Sequence, residues 1–599
     1  MSASEPSLRF VRRVRFAHRR RAGHASMRRQ RGVTMLVAAL CLGLVVVAAG
    51  AIDIGNLYFA RREMQRTADM AATAGAQTVS NGGACASATA SAQNNAVKGN
   101  DLSTSATVTV VCGRWDPSAN AGQSYFSTSG SPMNAVQVTV SEKVPYFFLG
   151  PARNVQAVST AEATNVRSFS ITSAVATLSG GLLNGLLNSL LGTNLNLSVA
   201  SYQGLATTQI KLGDLAAAIG VGSMTQLLNT NISLPNLVSA MVTAASKSTL
   251  VGATAITDLG TIQAAIPGGL QVALGNTPGT NGLLAVALDD PQAAVSATVN
   301  ALDVLMAAAE IAHGNSAIKL NTALNLGPLA NISAKAKIIQ PPVIAVGEAG
   351  TYANGTPRAS ARSAEVQVYL NVNLLNLSLG LTFLGLPDLV SVSALNLPIY
   401  IEAGDGAATL TSTACTTQQA TSQSTIVATT GIAGICIGGD ALNNFTNTTT
   451  AMQCNQPATI TSVNALGMSA VNVSVGSSSP ASGVNLTLQP ASTTLTFNGV
   501  PNSGTAYQST NTNAVGSAAA GLLSQLATQM ATSIHATLLG VDVSGVAAPL
   551  LSAIVSVLNP ILTSLDTLLV PLLQLLGVQI GVSTVHDLGL ACGQAQLVY

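Results

Sequence analysis

A long apolar run stands out near the start of the hydrophobic pattern. From Val33 to Ile52 the chain has 20 residues without a charge, and nearly all of them are apolar. A helix that crosses a bilayer needs about 20 such residues. Residues 57–77 contain no proline and also have helical character. The pattern therefore predicts a membrane anchor that continues as a helix beyond the membrane.

The helix that follows the anchor carries a stripe of small side chains. Met64, Ala68, Ala72 and Ala76 recur every four residues, so they share one face of the helix. Small side chains allow a second element to approach closely. That element is either a strand of the same domain or a helix of a partner, and the spacing favours neither.

Periodicity then alternates between strand and helix along the chain. Residues 106–116 and 135–140 alternate with a period of two, which predicts half-buried strands. Helical spacing follows, most clearly at 182–192, 212–220 and 291–314.

The last part of the pattern contains three evenly spaced prolines. Pro549, Pro560 and Pro571 stand 11 residues apart, each heading an apolar segment. Proline is tolerated in the first turn of a helix but not in its interior. We therefore predict three short buried helices, with a second membrane segment as the less favoured alternative.

Together these patterns predict an α+β protein in which a single transmembrane helix continues into a mixed body. The predicted divisions are an N-terminal arm (1–32), the anchor (33–54), a first strand-containing domain (55–165), an Ala/Leu-rich helical region (166–327), a β-rich region (328–510) and a helical region with a closing strand (511–599).

The distribution of charge predicts how the anchor is oriented in the membrane. Ten of the 25 Lys and Arg residues precede position 33, opposed there only by Glu5. The positive-inside rule then places the arm in the cytoplasm and the body on the other side of the membrane. No Lys or Arg follows Arg362, so the body lacks the basic patch typical of nucleic-acid binding.

Four segments resemble the Flp pilus-assembly TadE/TadG-like family of the tight-adherence (Tad) system. They are AIDIGNLYFARREMQRTADMAATAGA (51–76), CGRWDPS (112–118), NAVQVTV (134–140) and VPYFFLG (144–150). The resemblance implies a single-pass inner-membrane protein with a periplasmic body. It also implies that other Flp/Tad pilus-assembly proteins are its partners. The D-x-S-x-S metal motif that some members carry does not occur in this sequence.

Two cleavage sites compete with a permanent anchor. Ala49-Gly50-Ala51 fits a signal-peptidase site, although a signal peptide's apolar region is usually shorter, roughly 7–15 residues. Arg31-Gly32 resembles a prepilin-peptidase site, but Val37 stands where pilin-type subunits usually carry Glu. An uncut anchor is the favoured interpretation.

Cysteine usage points to an oxidising compartment. Cys41 lies in the anchor, and an even number remains outside it: Cys85, Cys112, Cys415, Cys436, Cys454 and Cys592. Such a set predicts disulfides, for which there are 15 connectivities. Proximity favours Cys85–Cys112 and Cys436–Cys454, which leaves Cys415 with Cys592.

Sequence motifs for catalysis or cofactor binding are absent. There is no C-x-x-C pair, G-x-S-x-G elbow or nucleotide-binding glycine motif, so no metal, cofactor or catalytic residue is predicted. His586-Asp587 is interpreted as structural. The favoured function is a non-enzymatic part of pilus assembly, and the alternatives are a tethered hydrolase and a structural adhesin.

Asp53 is the one charged residue at the outer edge of the anchor. It either contacts a partner's anchor and positions assembly, or simply marks the membrane interface. With Gly32, Ala68, Ala72 and Ala76, it completes the predicted anchor and interface residues.

Overall fold

The fold is given by a computed structural model. It describes residues 31–598 except for 81–83, 122–123, 149, 172–179, 249–250, 253, 315, 326–329, 375–389, 393–394, 405, 448–450, 466–467, 479, 489, 511–532, 539–540, 543 and 545–581.

The helices of the described residues are α1 (Arg31–Ser80), α2 (Cys85–Asn94), α3 (Gly180–Leu191), α4 (Val199–Thr207), α5 (Leu212–Ile219), α6 (Met224–Leu228), α7 (Leu234–Ala245), α8 (Ala255–Ala265), α9 (Ala301–His313) and α10 (Ala441–Thr446).

The strands of the first half are β1 (Thr107–Trp115), β2 (Phe126–Ser127), β3 (Ala135–Val144), β4 (Arg153–Glu162), β5 (Val166–Ile171), β6 (Gln209–Lys211), β7 (Asn231–Ser233), β8 (Gln271–Ala273), β9 (Leu284–Ala287), β10 (Thr298–Asn300), β11 (Ala317–Asn325), β12 (Ala330–Gln340), β13 (Ile344–Gly347), β14 (Ser360–Arg362) and β15 (Glu365–Leu374).

The remaining strands are β16 (Val390–Val392), β17 (Leu395–Gly404), β18 (Ala407–Ala414), β19 (Gln423–Thr429), β20 (Ile432–Ile437), β21 (Ala458–Ala465), β22 (Met468–Val475), β23 (Ser477–Ser478), β24 (Ala481–Ser482), β25 (Val484–Leu488), β26 (Ser492–Asn498), β27 (Tyr507–Ser509), β28 (Ile534–Leu538), β29 (Val541–Asp542), β30 (Thr584–Ala591) and β31 (Gln596–Leu597).

Helix α1 has two parts with different surroundings. Its apolar first part is long enough to cross a membrane and has no buried residue in its most apolar window. Its second part packs with α2 on one face of a sheet ordered β2–β1–β3–β4–β31. Val136, Val138 and Val140 are fully buried, because alternate residues of a strand point to the same face.

The fifth strand of this N-terminal sheet comes from far along the chain. Gln596 and Leu597 of β31 pair with Glu162 and Ala161 at the end of β4. The sheet therefore joins residues that are more than 400 positions apart in sequence.

Leucine side chains dominate the core of the helical region. Leu186, Leu187, Leu205 and Leu237 are buried in one continuous cluster that extends to the neighbouring strands. The helix predicted over 291–314 is wrong in its first half. Pro291–Ser296 is a 3-10 helix and Thr298–Asn300 is the strand β10. The α-helix begins at Ala301 because Asn300 caps it, accepting hydrogen bonds from the Leu302 and Asp303 amides.

Most of the remaining body consists of sheets. The largest is antiparallel and has the order β11–β12–β15–β17–β20–β25. Another has the order β27–β30–β5–β13–β9 and is mixed, because β13 and β9 pair in parallel. In β15, Val366, Val368 and Leu370 are fully buried on one face, because alternate residues of a strand point to the same side.

The α+β class, with one long apolar helix followed by a mixed body, is confirmed. The closing strand predicted after 511 is β30. The three proline-headed helices predicted from Pro549 onward lie outside the described residues, as does the basic arm up to residue 30. The limits of the predicted domains stay predictions.

Candidate functional site

Asp53 lies where the apolar part of α1 ends, and its carboxylate holds the turn between β3 and β4. Its Oδ1 accepts a hydrogen bond from the Phe147 amide at 2.7 Å, and its Oδ2 accepts one from the Phe148 amide at 3.2 Å. Asp53 is only 1% exposed. An ionised carboxylate satisfied by backbone amides makes strong, directional bonds, so this contact fixes the end of the anchor against the sheet.

The small-residue stripe is occupied by the chain's own domain. Ala68, Ala72 and Ala76 have no exposed surface and lie in a cluster with Val136 and other residues of β3, β4 and α2. At Gly75 a Cβ atom would come within 2.9 Å of a Val136 methyl group. The structure therefore favours packing within the domain, because a partner's helix would have to displace these strands.

A buried network of charges joins the N-terminal sheet to the body. The Arg114 guanidinium, at the end of β1, donates to Glu348 at 3.1 Å and also forms ion pairs with Asp289 and with the second oxygen of Glu348. Arg358 donates to the same two carboxylates, at 3.1 Å to Asp289 and 2.8 Å to Glu348.

All four of these side chains are almost completely buried, with at most 8% of any side chain exposed. Burial raises the pKa of Glu348 and of Asp289, although the nearby arginines counteract it. For Arg114, burial lowers the pKa, but the hydrogen bonds and charges of Glu348 and Asp289 outweigh burial and raise it. Arg114 therefore stays charged, and both arginines are held by the carboxylates that face them.

Residues 592–597 form a second connection between the same two parts. The Gly593 carbonyl accepts from the Gln77 side chain at 3.2 Å, and the Gly593 amide donates to the Asn165 side chain at 2.9 Å. Cys592 is bonded to Cys415. These contacts attach the end of α1 and the end of the N-terminal sheet to the body.

A cavity of about 610 Å³ lies beside this connection and is lined by Glu162, Thr164, Thr416, Leu590, Cys592 and Gln596, among others. The Glu162 carboxylate accepts a hydrogen bond from the Gln596 side chain at 2.8 Å. Burial raises the pKa of Glu162 to about 7. Burial therefore brings the titration of this acid close to neutral pH.

A buried contact between a histidine and an aspartate lies in the body. The Asp303 Oδ2 atom lies 2.7 Å from the His586 Nδ1 atom and accepts a hydrogen bond from Ser170 at 2.6 Å. In a catalytic triad the serine would bond to the other ring nitrogen of the histidine. Both Ser170 and His586 are buried, so this arrangement connects β5, α9 and β30 and has the geometry of a structural contact.

The three disulfides join Cys85 to Cys112, Cys415 to Cys592 and Cys436 to Cys454, with Cα–Cα distances of 5.8, 5.9 and 5.7 Å. Two of these pairs, Cys85–Cys112 and Cys436–Cys454, are the ones that proximity in the sequence favours, and Cys415–Cys592 is the pair that remained. Cys41 is exposed on the apolar part of α1. Gly32 lies in the first turn of α1, where an added Cβ atom would meet no atom of another part of the chain within 4 Å. No group of three metal-ligating side chains occurs among the described residues.

Sequence reasoning missed the charge network. The sequence does indicate that Arg114 is buried. Arg114 lies two residues after Cys112 on β1, so the two side chains lie on the same, inward-facing side of the strand. A charged side chain on an apolar strand face requires a buried partner. The sequence did not show which partner, since Asp289, Glu348 and Arg358 lie far away and carry no common motif.

Three family models match parts of this chain. The Flp pilus-assembly TadE/G-like model matches residues 32–78, and a Tad-like Flp pilus-assembly model matches residues 74–164. A domain of unknown function (DUF8293) matches residues 179–310. No curated protein and no solved structure matches the chain. The two pilus-assembly matches cover α1 and four of the five strands of the N-terminal sheet, and they confirm the resemblance to TadE/TadG-like proteins.

Proposed function

We propose that this chain, whose N-terminal region is TadE/TadG-like, is a non-enzymatic component of Flp/Tad pilus assembly. One helix anchors it in the inner membrane, and its body lies in the periplasm. The observation that carries the proposal is the pair of adjoining matches over residues 32–164. They cover an apolar helix and the sheet that Asp53 attaches to it.

Charge and cysteine chemistry support the compartment. The ten basic residues before the apolar run favour a cytoplasmic N-terminus. The three disulfides all lie beyond that run, and disulfides persist in oxidising compartments such as the periplasm.

The placement of the ionisable groups supports a role in assembly over a role in catalysis. Arg114 and Arg358 are paired in a buried network, and His586 is buried against Asp303. Each of these groups holds two parts of the fold together. We propose other Flp/Tad pilus-assembly proteins as the partners, with no nucleic acid.

Replacing residues 1–52 with a cleavable signal peptide tests the proposed function. In a deletion strain the full chain should restore pili. The released body should fail to do so, although its disulfides form, because an assembly component must stay at the membrane. A tethered hydrolase would still act once released, so pili restored by the soluble form would contradict the proposal.

The orientation can be tested on the full chain with single cysteines. Met133→Cys introduces a thiol at a position that is 43% exposed in the body, and Ser2→Cys introduces one in the arm. A membrane-impermeant maleimide applied to spheroplasts should label the first variant alone. Labelling of Ser2→Cys alone would reverse the proposed topology.

A further inference from the structure

Exposed aromatic side chains cluster at one level of the molecule. Seven aromatic residues of the described chain are exposed, and four of them lie around the end of the apolar run: Tyr58, Phe59, Phe147 and Phe148. The two phenylalanine side chains come from the β3–β4 turn and are 64% and 62% exposed. Burying two adjacent phenylalanine side chains is favourable, so an apolar neighbour would stabilise this patch.

The position of the turn relative to the anchor identifies that neighbour. Val33 and Asp53 are 20 residues apart on one helix, which is about 30 Å at 1.5 Å per residue and equals the thickness of the bilayer's hydrocarbon core. Asp53 therefore lies at the membrane surface. Because its carboxylate accepts hydrogen bonds from the Phe147 and Phe148 amides, the turn lies at the same level.

The side chains around the turn have the chemistry of a membrane interface. Aromatic residues concentrate at the level of the lipid headgroups. Lys143 and Arg153, near the ends of β3 and β4, are exposed beside the turn, and cations at this level attract anionic headgroups. The nearby acids are already engaged, Asp53 with the turn's backbone and Glu142, which precedes Lys143, with the Ser105 hydroxyl.

We propose that the β3–β4 turn is a second membrane contact, in which Phe147 and Phe148 insert into the outer lipid interface beside the anchor. The anchor and the turn would then hold the N-terminal sheet at a fixed tilt to the membrane, since one helix alone leaves the sheet free to rotate. This inference rests on the proposed membrane anchor and adds a contact that the anchor does not require.

Tryptophan quenching by brominated lipids tests the contact on the full chain. The protein is reconstituted in phosphatidylethanolamine–phosphatidylglycerol vesicles whose acyl chains carry bromine at a shallow or a deep position. Three variants are compared with the parent, in which Trp115 provides a constant background: Phe148→Trp at the turn, Leu42→Trp in the middle of the anchor, and Met133→Trp before the opposite end of β3. Resistance of the disulfide cysteines to alkylation verifies that each variant folds.

We expect shallow bromines to quench Phe148→Trp severalfold more than Met133→Trp, and deep bromines to quench Leu42→Trp most. If Leu42→Trp is quenched but neither Phe148→Trp nor Met133→Trp is quenched, the turn does not contact lipid, although the membrane anchor is supported. If Leu42→Trp is not quenched, the anchor and the contact both fall. Equal quenching of Phe148→Trp and Met133→Trp by shallow bromines would also overturn the proposal, because the whole sheet would then lie on the lipid.

Discussion

The N-terminal sheet makes two contacts of opposite chemistry. Toward α1 it presents valines, which meet the alanines of the helix with no exposed surface. Toward the body it presents Arg114, which is buried among carboxylates. At an apolar contact between small side chains, a larger side chain overpacks the core and destabilises the fold. At a buried ion pair, removing one of the two charges destabilises the fold, because the other charge is left buried without a partner. The two contacts should therefore respond differently to substitution.

The largest expected effect is at the charged contact. Arg114→Met keeps the aliphatic part of the side chain but leaves Asp289 and Glu348 with Arg358 as their remaining arginine. Removing one member of a buried ion pair costs roughly 3–5 kcal/mol. Urea unfolding followed by Trp115 fluorescence should show this loss, since Trp115 is the next residue.

Arg153→Met is the matched control, because Arg153 lies on the same sheet and is exposed. It should change the stability little. If the two variants unfold at the same urea concentration, the network does not hold the sheet to the body.

The second effect is a pH dependence that belongs to Glu162. Its pKa is about 7 in the folded chain against an ordinary value of 4.5. The folded protein binds this proton more tightly, so the stabilising contribution is complete below pH 4.5 and is lost as the pH rises through 7. The loss should be at most about 3 kcal/mol.

Glu162→Gln keeps an oxygen for the Gln596 hydrogen bond and removes the charge. The difference in unfolding free energy between the variant and the parent should therefore grow from pH 4.5 to pH 8, in favour of the variant. A difference that stays constant across this range would show that Glu162 titrates normally.

The third effect is at the apolar contact. Ala72 has no exposed surface, so Ala72→Leu should overpack the space between α1 and the sheet and cost roughly 1–3 kcal/mol. Limited proteolysis of the body would detect the loss. Ala38→Leu makes the same change in the exposed apolar part of α1 and should leave the protease resistance as it was.

Co-purification separates the two predicted roles of the stripe. If Ala72→Leu keeps the protease resistance of the parent but loses pilus-assembly partners, the stripe meets a partner's helix after all.

The smallest effect is expected where the anchor meets the β3–β4 turn. Asp53→Asn keeps one side-chain oxygen, which can accept a hydrogen bond from one of the two amides. It removes the negative charge that strengthens both hydrogen bonds. The cost should be about 1 kcal/mol, visible as faster hydrogen exchange of the Phe147 and Phe148 amides. Unchanged exchange would mean that the carboxylate does not hold the turn.

The sequence correctly predicted the features of the fold that short stretches of the chain determine. The apolar run and the alternating valines of β3 each follow from a few neighbouring residues, and the even number of cysteines beyond the apolar run predicted the disulfides. The 291–314 helix was wrong because Asn300 caps α9, and one capping side chain outweighs a weak Ala-rich periodicity. Arg114's partners and the fifth strand of the sheet depend on contacts between distant residues, which no local pattern contains.

Strand β31 has a consequence for how the chain is made. The end of β4 is paired with a segment synthesised 434 residues later, as the separation of Glu162 and Gln596 shows. At a synthesis rate of about 5–20 residues per second, the end of β4 waits roughly 20–90 s for that partner. An unpaired strand edge is a template for pairing with other chains. The nascent protein thus passes through a defined interval in which a chaperone that covers strand edges would protect it most.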